Sequence, residues 1–265
     1  MQMVSQLPLL ADTKLYGGRR INEPGDRQFL VSVVCVTRNA ANNLPSLLQS
    51  VRMHKGHNVE LIIVDGCSDD GTIEILRDNE DIIDYWISRP DNGIYDAMNK
   101  ALKYVKGKWL IFMGADDYLL RGFKSMVSEL KDPGTIYYGN LMFYGKGFFK
   151  EYDDYYLTKL NICQQCIFYP AAIFGKYQFD TRYKVYADYC LNLQCWRDPN
   201  IRFQHVDHMM AWFSDGGYSS FTHDPAFEED KDRLFKKYLK RTSYYRYVNR
   251  SQGFGTMLAR FFRNK

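Results

Sequence analysis

The chain has 265 residues, 46% of them hydrophobic and 16% aromatic, with six Cys and a formal net charge of +4. That length allows one large domain or two small ones, six Cys within it do not make a disulfide scaffold, and the chain holds neither an apolar run of 18 residues nor a basic-then-apolar leader, so neither a membrane span nor a signal peptide is expected. The charge is uneven, because residues 231–265 hold 11 Lys+Arg and one acid, Asp232, whereas residues 1–230 hold 24 Lys+Arg against 30 Asp+Glu.

In chain order, residues 1–28, with Gly17-Gly18 and Pro24-Gly25, read as an irregular lead-in. Phe29–Thr37 is β-branched and nearly all apolar, the composition of a central parallel strand. Residues 43–53 place Leu44, Leu47, Leu48 and Val51 on one helical face, with Pro45 early, where a helix tolerates it. Residues 60–65 (ELIIVD) predict a second buried strand, and CSDDGT leads into a helix over 72–77. A short strand at 84–88 and the Asn92-Gly93 turn precede a helix over 94–105, and 109–113 predicts a fourth strand. This alternation argues for an α/β fold with a parallel sheet. Beyond Leu120 the pattern changes. Strands are expected at 135–144 and 148–152 around Gly145-Lys146-Gly147, a helix at 188–196, and a strand at 209–213.

Two strand ends carry acids. Leu110-Ile111-Phe112-Met113 runs straight into Gly114-Ala115-Asp116-Asp117, and Asp65 ends the second strand. Open α/β sheets bind their ligands at the C-terminal edge. Crowded carboxylates there call for a cation, and a hard divalent ion carrying phosphate oxygens meets that demand. Capping and turn roles account for Asp69 or Asp70, but a turn needs no acid at the last position of a strand.

The ordered motifs VSVVCVTRNAANN (Val31–Asn43), IIVDGCSDDGT, SRPDNGIYDAMNKAL and GADD resemble glycosyltransferase family 2, closely over residues 29–120 and more loosely to about residue 222. The resemblance is nearest to the branch that builds bacterial capsule, exopolysaccharide and lipopolysaccharide chains. It implies the GT-A fold, a mostly parallel central sheet flanked by helices, with a nucleotide-sugar half (29–120) and an acceptor half (121–230) of one domain, followed by a basic, aromatic helical tail (231–265). It implies an inverting transfer from a nucleoside diphosphate sugar, a UDP-sugar first, to a glycan or lipid-linked glycan, with Mn²⁺ or Mg²⁺. Residue by residue, Thr37, Asn39 and Asp65 correspond to positions that hold the nucleotide, and Asp96 lies in the donor-binding stretch. Asp116 matches the last Asp of the family's Asp-x-Asp metal motif. The first Asp of that motif is replaced by Gly114, which shifts weight to Asp116 and Asp117. Tyr186-Ala187-Asp188-Tyr189 resembles the late acidic motif that supplies the general base, assigned here to Asp188 with Asp180 as rival, and Gln164 and Gln165 fall where related enzymes line the acceptor pocket.

Each of these residues has a plainer reading: Asp96 as a first-turn acid, Asp188 as a helix N-cap, the Cys163 and Cys166 pair as core. In the tail, Phe254, Met257, Leu258, Phe261 and Phe262 recur at helical spacing beside Arg260, Arg263 and Lys265, which suits a helix lying on an anionic membrane or packed on the protein's own core. No groove-reading motif accompanies the basic charge, so nucleic acid is not an expected partner. The expected location is cytoplasmic, peripheral on the inner face of the cell membrane. Two other classes remain open on sequence: a nucleotidyltransferase-type nucleotide-sugar enzyme, for which the glycine-rich basic loop after the first strand is missing, and a non-catalytic glycan-binding protein, which the Gly114 departure favours.

Overall fold

A computed structural model describes residues 15–143, 145–214 and 222–250. Residues 216–220 and the aromatic stretch from Phe254 onward lie outside them. In chain order the regular elements are β1 (Tyr16–Gly17), α1 (Arg19–Asn22), β2 (Phe29–Thr37), α2 (Leu44–His54), β3 (Val59–Asp65), α3 (Thr72–Asp78), β4 (Tyr85–Ser88), α4 (Ile94–Ala101), β5 (Gly107–Met113), β6 (Tyr118–Leu119), α5 (Gly122–Glu129), β7 (Thr135–Phe143), β8 (Lys146–Phe148), β9 (Ile167–Pro170), α6 (Ala187–Arg197), β10 (Arg202–Phe213) and α7 (Pro225–Tyr238).

They form an α/β structure around one central sheet in the order β1-β4-β3-β2-β5-β9-β7-β10-β6, with β8 paired to β7. The long ladders, β2 with β3, β2 with β5 and β7 with β10, are parallel. Every residue of β3 is buried, as a strand covered on both faces requires. Glu60 at its start is inside as well, and its carboxylate is held by the Ser32 hydroxyl, the Lys106 N–H and the Arg20 guanidinium. The apolar face of α2, Leu44, Leu47, Leu48 and Val51, is sealed against the sheet. Each such side chain contributes about 2 kcal/mol through burial. Antiparallel β9 bridges the two parallel parts, lying between β5 and β7.

The lead-in is not irregular throughout. Residues 16–22 form β1 and α1, and β1 pairs antiparallel with β4, Tyr16 opposite Ile87. A half-buried carboxylate, Glu80, fastens that corner by accepting from the Gly18 N–H and the Trp86 indole. The expected strand at 148–152 is displaced: Lys146–Phe148 pair with β7, so Lys146 and Gly147 belong to the ladder rather than to its turn. The helix expected to reach 105 ends at Ala101 and tightens into a 3₁₀ turn over Leu102–Tyr104.

From β2 the chain moves to β3 on one side, and β5 lies on the other. This reversal of direction opens a crevice at the C-terminal ends of β2 and β5, between Thr37 on one strand and Met113-Gly114 on the other.

Candidate active site

A cleft of about 640 Å³ occupies that crevice. Its near wall is the loop after β2. Thr37 is 7% exposed, and its hydroxyl is buried with no hydrogen-bond partner among the described residues. Asn39 has φ 52 and Cys67, in the next β–α loop, has φ 59, a backbone region that non-glycine residues enter rarely and mostly at functional turns. The two loops are locked together, since the Asn39 N–H donates to Ser68 Oγ and the Asp69 N–H donates to Asn39 Oδ1. Thr37 and Asn39 both line the cleft. Asp65 stands behind it, fully buried, accepting from the Ser68 N–H and hydroxyl and from the Ser88 hydroxyl.

The N-terminus of α4 forms the next wall. Asp96, in its first turn, accepts from the Asn92 N–H at 2.8 Å and from Lys100 Nζ at 2.7 Å. The Lys100 hydrogen bond, followed by the Asn92 N–H, holds its carboxyl below the ordinary range. Asp96 thus pins the turn that presents Asp91 and Asn92 to the cleft, while lining the cleft itself.

The acid turn after β5 divides its labour. Asp117 is 2% exposed. Its carboxylate accepts from the Gly114 N–H (2.9 Å), from Gln165 Nε2 (2.8 Å) and from the Ser214 N–H (3.1 Å). Burial, then the neighbouring charge of Asp116, pushes its carboxyl up to about 6. Asp116 is half-buried and its carboxylate has no hydrogen-bond partner among the described residues. Gly114 explains itself here, because a Cβ at that position would stand 2.6 Å from Asp116 Oδ1 and 2.8 Å from Asp117 Oδ2. The space of the missing first acid is taken by the two acids that follow. One free carboxylate at the end of a strand fits a divalent ion that takes its other ligands from diphosphate oxygens and water. No cluster of three or more His, Cys, Asp or Glu suited to an ion occurs among the described residues.

The far wall comes from the second half of the chain. Gln164 and Gln165 reach the cleft on a 3₁₀ turn, and Gln165 is also the residue that clasps Asp117. Thr181, Tyr183, Lys184 and Val185, in the 181–185 segment, complete this wall. Asp188 lies just behind it, 8% exposed. It is the second residue of α6, whose N-cap is Tyr186, so Asp188 is not the cap. Its Oδ1 lies 2.8 Å from the Tyr95 hydroxyl and its Oδ2 accepts from Asn161 Nδ2 at 2.7 Å. Burial lifts its carboxyl to about 6 against those donors, the range a general base needs near neutrality. Asp180 is differently placed: it is clamped by Arg182, whose hydrogen bonds hold it below the ordinary range.

Motif reading did not find Tyr95, Asn161 or Ser214. Tyr95 sits beside Asp96 in a quoted motif, but its partner is 93 positions away. Asn161 and Ser214 carry no local signal.

The family model for glycosyl transferase family 2 matches residues 32–215. The chain belongs to that family. This transferase is 33% identical over 214 residues to a PGL/p-HBAD biosynthesis glycosyltransferase of Mycobacterium bovis, covering 75% of this chain and 82% of that protein. In fold it resembles S. aureus TarS 1–349 in complex with UDP, with a TM-score of 0.65 at 17% identity over 83% of this chain and 70% of that one. Against another TarS structure the match spans 42% of that chain. It also resembles the mannosyltransferase PcManGT of Pyrobaculum calidifontis in complex with GDP-Man and Mn²⁺, with a TM-score of 0.57 at 16% identity over 73% of this chain and 59% of that one.

Proposed function

We propose that the transferase is metal-dependent and inverting, and moves a sugar from a UDP-sugar to a hydroxyl of a glycan or lipid-linked glycan in bacterial surface polysaccharide synthesis. The observation that carries this reading is the pairing of acids across one cleft: an unpartnered Asp116 carboxylate on the donor side, and Asp188, lifted to about 6, behind the opposite wall. The UDP bound to TarS and the Mn²⁺ and GDP-Man bound to PcManGT support a nucleotide-sugar donor and a divalent ion.

Thr37, with its unpartnered hydroxyl, and Asn39 receive the nucleotide, with Asp65 bracing the loops behind them. Asp96 fixes the α4 turn on the diphosphate side. Asp116 is the residue that would hold Mg²⁺ or Mn²⁺, with Asp117 bracing the turn, and such an ion supplies charge neutralisation at the leaving diphosphate. Asp188 takes the proton of the acceptor hydroxyl as its oxygen attacks the anomeric carbon, and Gln164 and Gln165 face the acceptor. Attack opposite the diphosphate turns an α-linked donor into a β-linked product.

The acceptor reading extends to a surface. Lys159 lies 4.3 Å from the ring centre of Tyr155, Arg246 lies 3.7 Å from it, and Lys150 lies 4.4 Å from that of Tyr156. Arg250 approaches the Tyr155 hydroxyl at 3.5 Å. None of these four cations has a carboxylate partner among the described residues, and exposed Phe149 and Leu160 flank the segment. Basic and aromatic groups together suit an anionic bilayer surface, which supports a peripheral membrane location.

The test is thermal stability and UDP release with candidate nucleotide sugars, with and without Mn²⁺. Asp116→Ala is expected to keep the fold, abolish transfer and remove the Mn²⁺-dependent part of UDP binding. UDP affinity that stays metal-dependent in that variant sinks the assignment.

A further inference from the structure

The Tyr95 hydroxyl has one proton and two acceptors. Its Oη lies 2.8 Å from Asp188 Oδ1 and 2.5 Å from the carbonyl oxygen of Val185. A phenol donates one hydrogen bond, so with Asp188 ionised one of these two oxygens faces Tyr95 with no hydrogen between them. The conflict ends when Asp188 carries a proton. The carboxylic O–H then donates to Tyr95 Oη, and the Tyr95 O–H donates to Val185.

The neighbours fix which oxygen takes that proton. Asp188 Oδ2 accepts from Asn161 Nδ2. The Asn161 amide cannot turn round, because its Oδ1 accepts from Asn192 Nδ2 at 2.8 Å, and Asn192 is itself oriented by the Tyr169 hydroxyl on its Oδ1 at 2.7 Å. A proton on Asp188 therefore sits on Oδ1, facing Tyr95. The titratable groups around the carboxylate are Tyr95 from α4, Tyr169 from β9, and Tyr186 and Tyr189 beside it in the chain. Burial raises all four phenols, so they stay protonated in the neutral range. Asp224 is the nearby acid, and it is committed to the N–H groups of Val185, Tyr186 and Phe227. Both backbone polar groups of Val185 are thus engaged, N–H by Asp224 and C=O by Tyr95, and Val185 lines the cleft together with Thr181, Tyr183 and Lys184.

We propose that Tyr95 is a positioning residue that ties the 181–185 wall of the cleft to the protonation state of Asp188; this rests on the reading of Asp188 as the base. With Asp188 ionised, Tyr95 donates to Oδ1 and releases the Val185 carbonyl, leaving the wall loose for the acceptor. During transfer the acceptor oxygen bonds to the anomeric carbon, the bond from that carbon to the diphosphate oxygen breaks, and the acceptor's hydroxyl proton passes to Asp188 Oδ1. Asp188 then donates to Tyr95, the Tyr95 proton turns to Val185, and the wall is fastened around the product. Loss of the proton to solvent reopens it.

The experiment is amide hydrogen exchange over residues 181–186 of the full chain, corrected for intrinsic chemistry, together with pH–rate profiles of the parent, Tyr95→Phe and Asp188→Asn. In the parent, protection of this segment rises several-fold as pH falls through about 6. In Tyr95→Phe that pH dependence is lost, and the acidic limb of the rate profile moves to higher pH because ionised Asp188 has lost a donor. In Asp188→Asn, whose amide can donate to Tyr95 as the protonated acid does, protection is high at every pH. A Tyr95→Phe protein that melts lower but keeps the parental limb and the parental pH dependence overturns the proposal. So does an Asp188→Asn protein whose segment is no better protected than the ionised parent's, a comparison that stands even if the phenylalanine variant does not fold. Parental turnover in Asp188→Asn refutes the base instead, and leaves the exchange data to judge the tie on their own.

Discussion

The carboxylate of Asp116 folds over Gly114 so closely that a single added carbon at 114 would stand 2.6 Å from its Oδ1. The family's two-acid metal motif and this chain's arrangement are therefore alternatives that compete for one space. Gly114→Ala is expected to displace the Asp116 carboxylate, the free end of a half-buried side chain, at little cost to the fold. Metal-dependent UDP affinity, measured by calorimetric titration, should fall about tenfold or more, with the melting temperature little changed. Gly114→Asp, which restores the family's pattern, should not improve affinity. A gain in metal binding from that variant contradicts this account of the turn.

Asp188 is stabilised as a neutral acid by burial, so its charge at neutral pH costs the fold. Its carboxyl lies at about 6 in the folded chain against 3.8 for the free group. The sign follows from which state binds the proton more tightly. The folded state does, so stability is lost as pH rises from the unfolded value through the folded one, by roughly 3 kcal/mol at most. Asp188→Asn removes that cost. It should melt higher than the parent above about pH 6, and its advantage should shrink toward about pH 4, while turnover falls by roughly 10²–10⁴-fold. Melting curves across this window decide the point, and an advantage that is flat with pH contradicts it.

Thr37 carries a buried hydroxyl with no partner among the described residues. Thr37→Val keeps the shape and removes the unsatisfied group, so stability should hold or rise by up to about 1 kcal/mol. If the hydroxyl meets the nucleotide, UDP affinity should drop about tenfold, the worth of one hydrogen bond. Unchanged affinity would leave the hydroxyl without a role in donor binding.

The cations around Tyr155 and Tyr156 predict salt-sensitive attachment to anionic vesicles. In the full chain, each of Lys150→Ala, Lys159→Ala and Arg246→Ala should weaken binding to phosphatidylglycerol-containing vesicles about fivefold at low salt, with UDP release on a soluble acceptor unchanged. Sedimentation with neutral vesicles should show no such dependence. Parental binding by the combined variant would move the contact to another surface.

The legible parts of this fold were those whose cause is local. β2 and β3 are long apolar runs and α2 repeats its leucines at helical spacing, so the parallel core could be read from the residues themselves. β1, β6 and β9 are two to four residues long, and what makes them strands is a partner far along the chain, as when Tyr16 meets Ile87. The site divides the same way. Acids at strand ends announce a ligand edge, and motif order singled out Asp116 and Asp188. The division of labour between Asp116 and Asp117 came from Gln165 and Ser214, 48 and 97 positions beyond Asp117. The setting of Asp188 came from Tyr95 and Asn161, neither of which advertises it in the sequence.

Ser214 holds the acid turn from the end of β10: its N–H donates to Asp117 and its hydroxyl to the Asp116 carbonyl. One strand pair away, β6 is hydrogen-bonded to the same β10, Leu119 opposite Ala211. The acid turn is therefore welded to β10, in the second half of the chain. A chimera that exchanges everything after residue 120 for a relative's sequence would cut through this joint, and its acid turn would inherit whatever strand end the graft brought with it. The second half of this scaffold can be traded only together with the clasp on its acids.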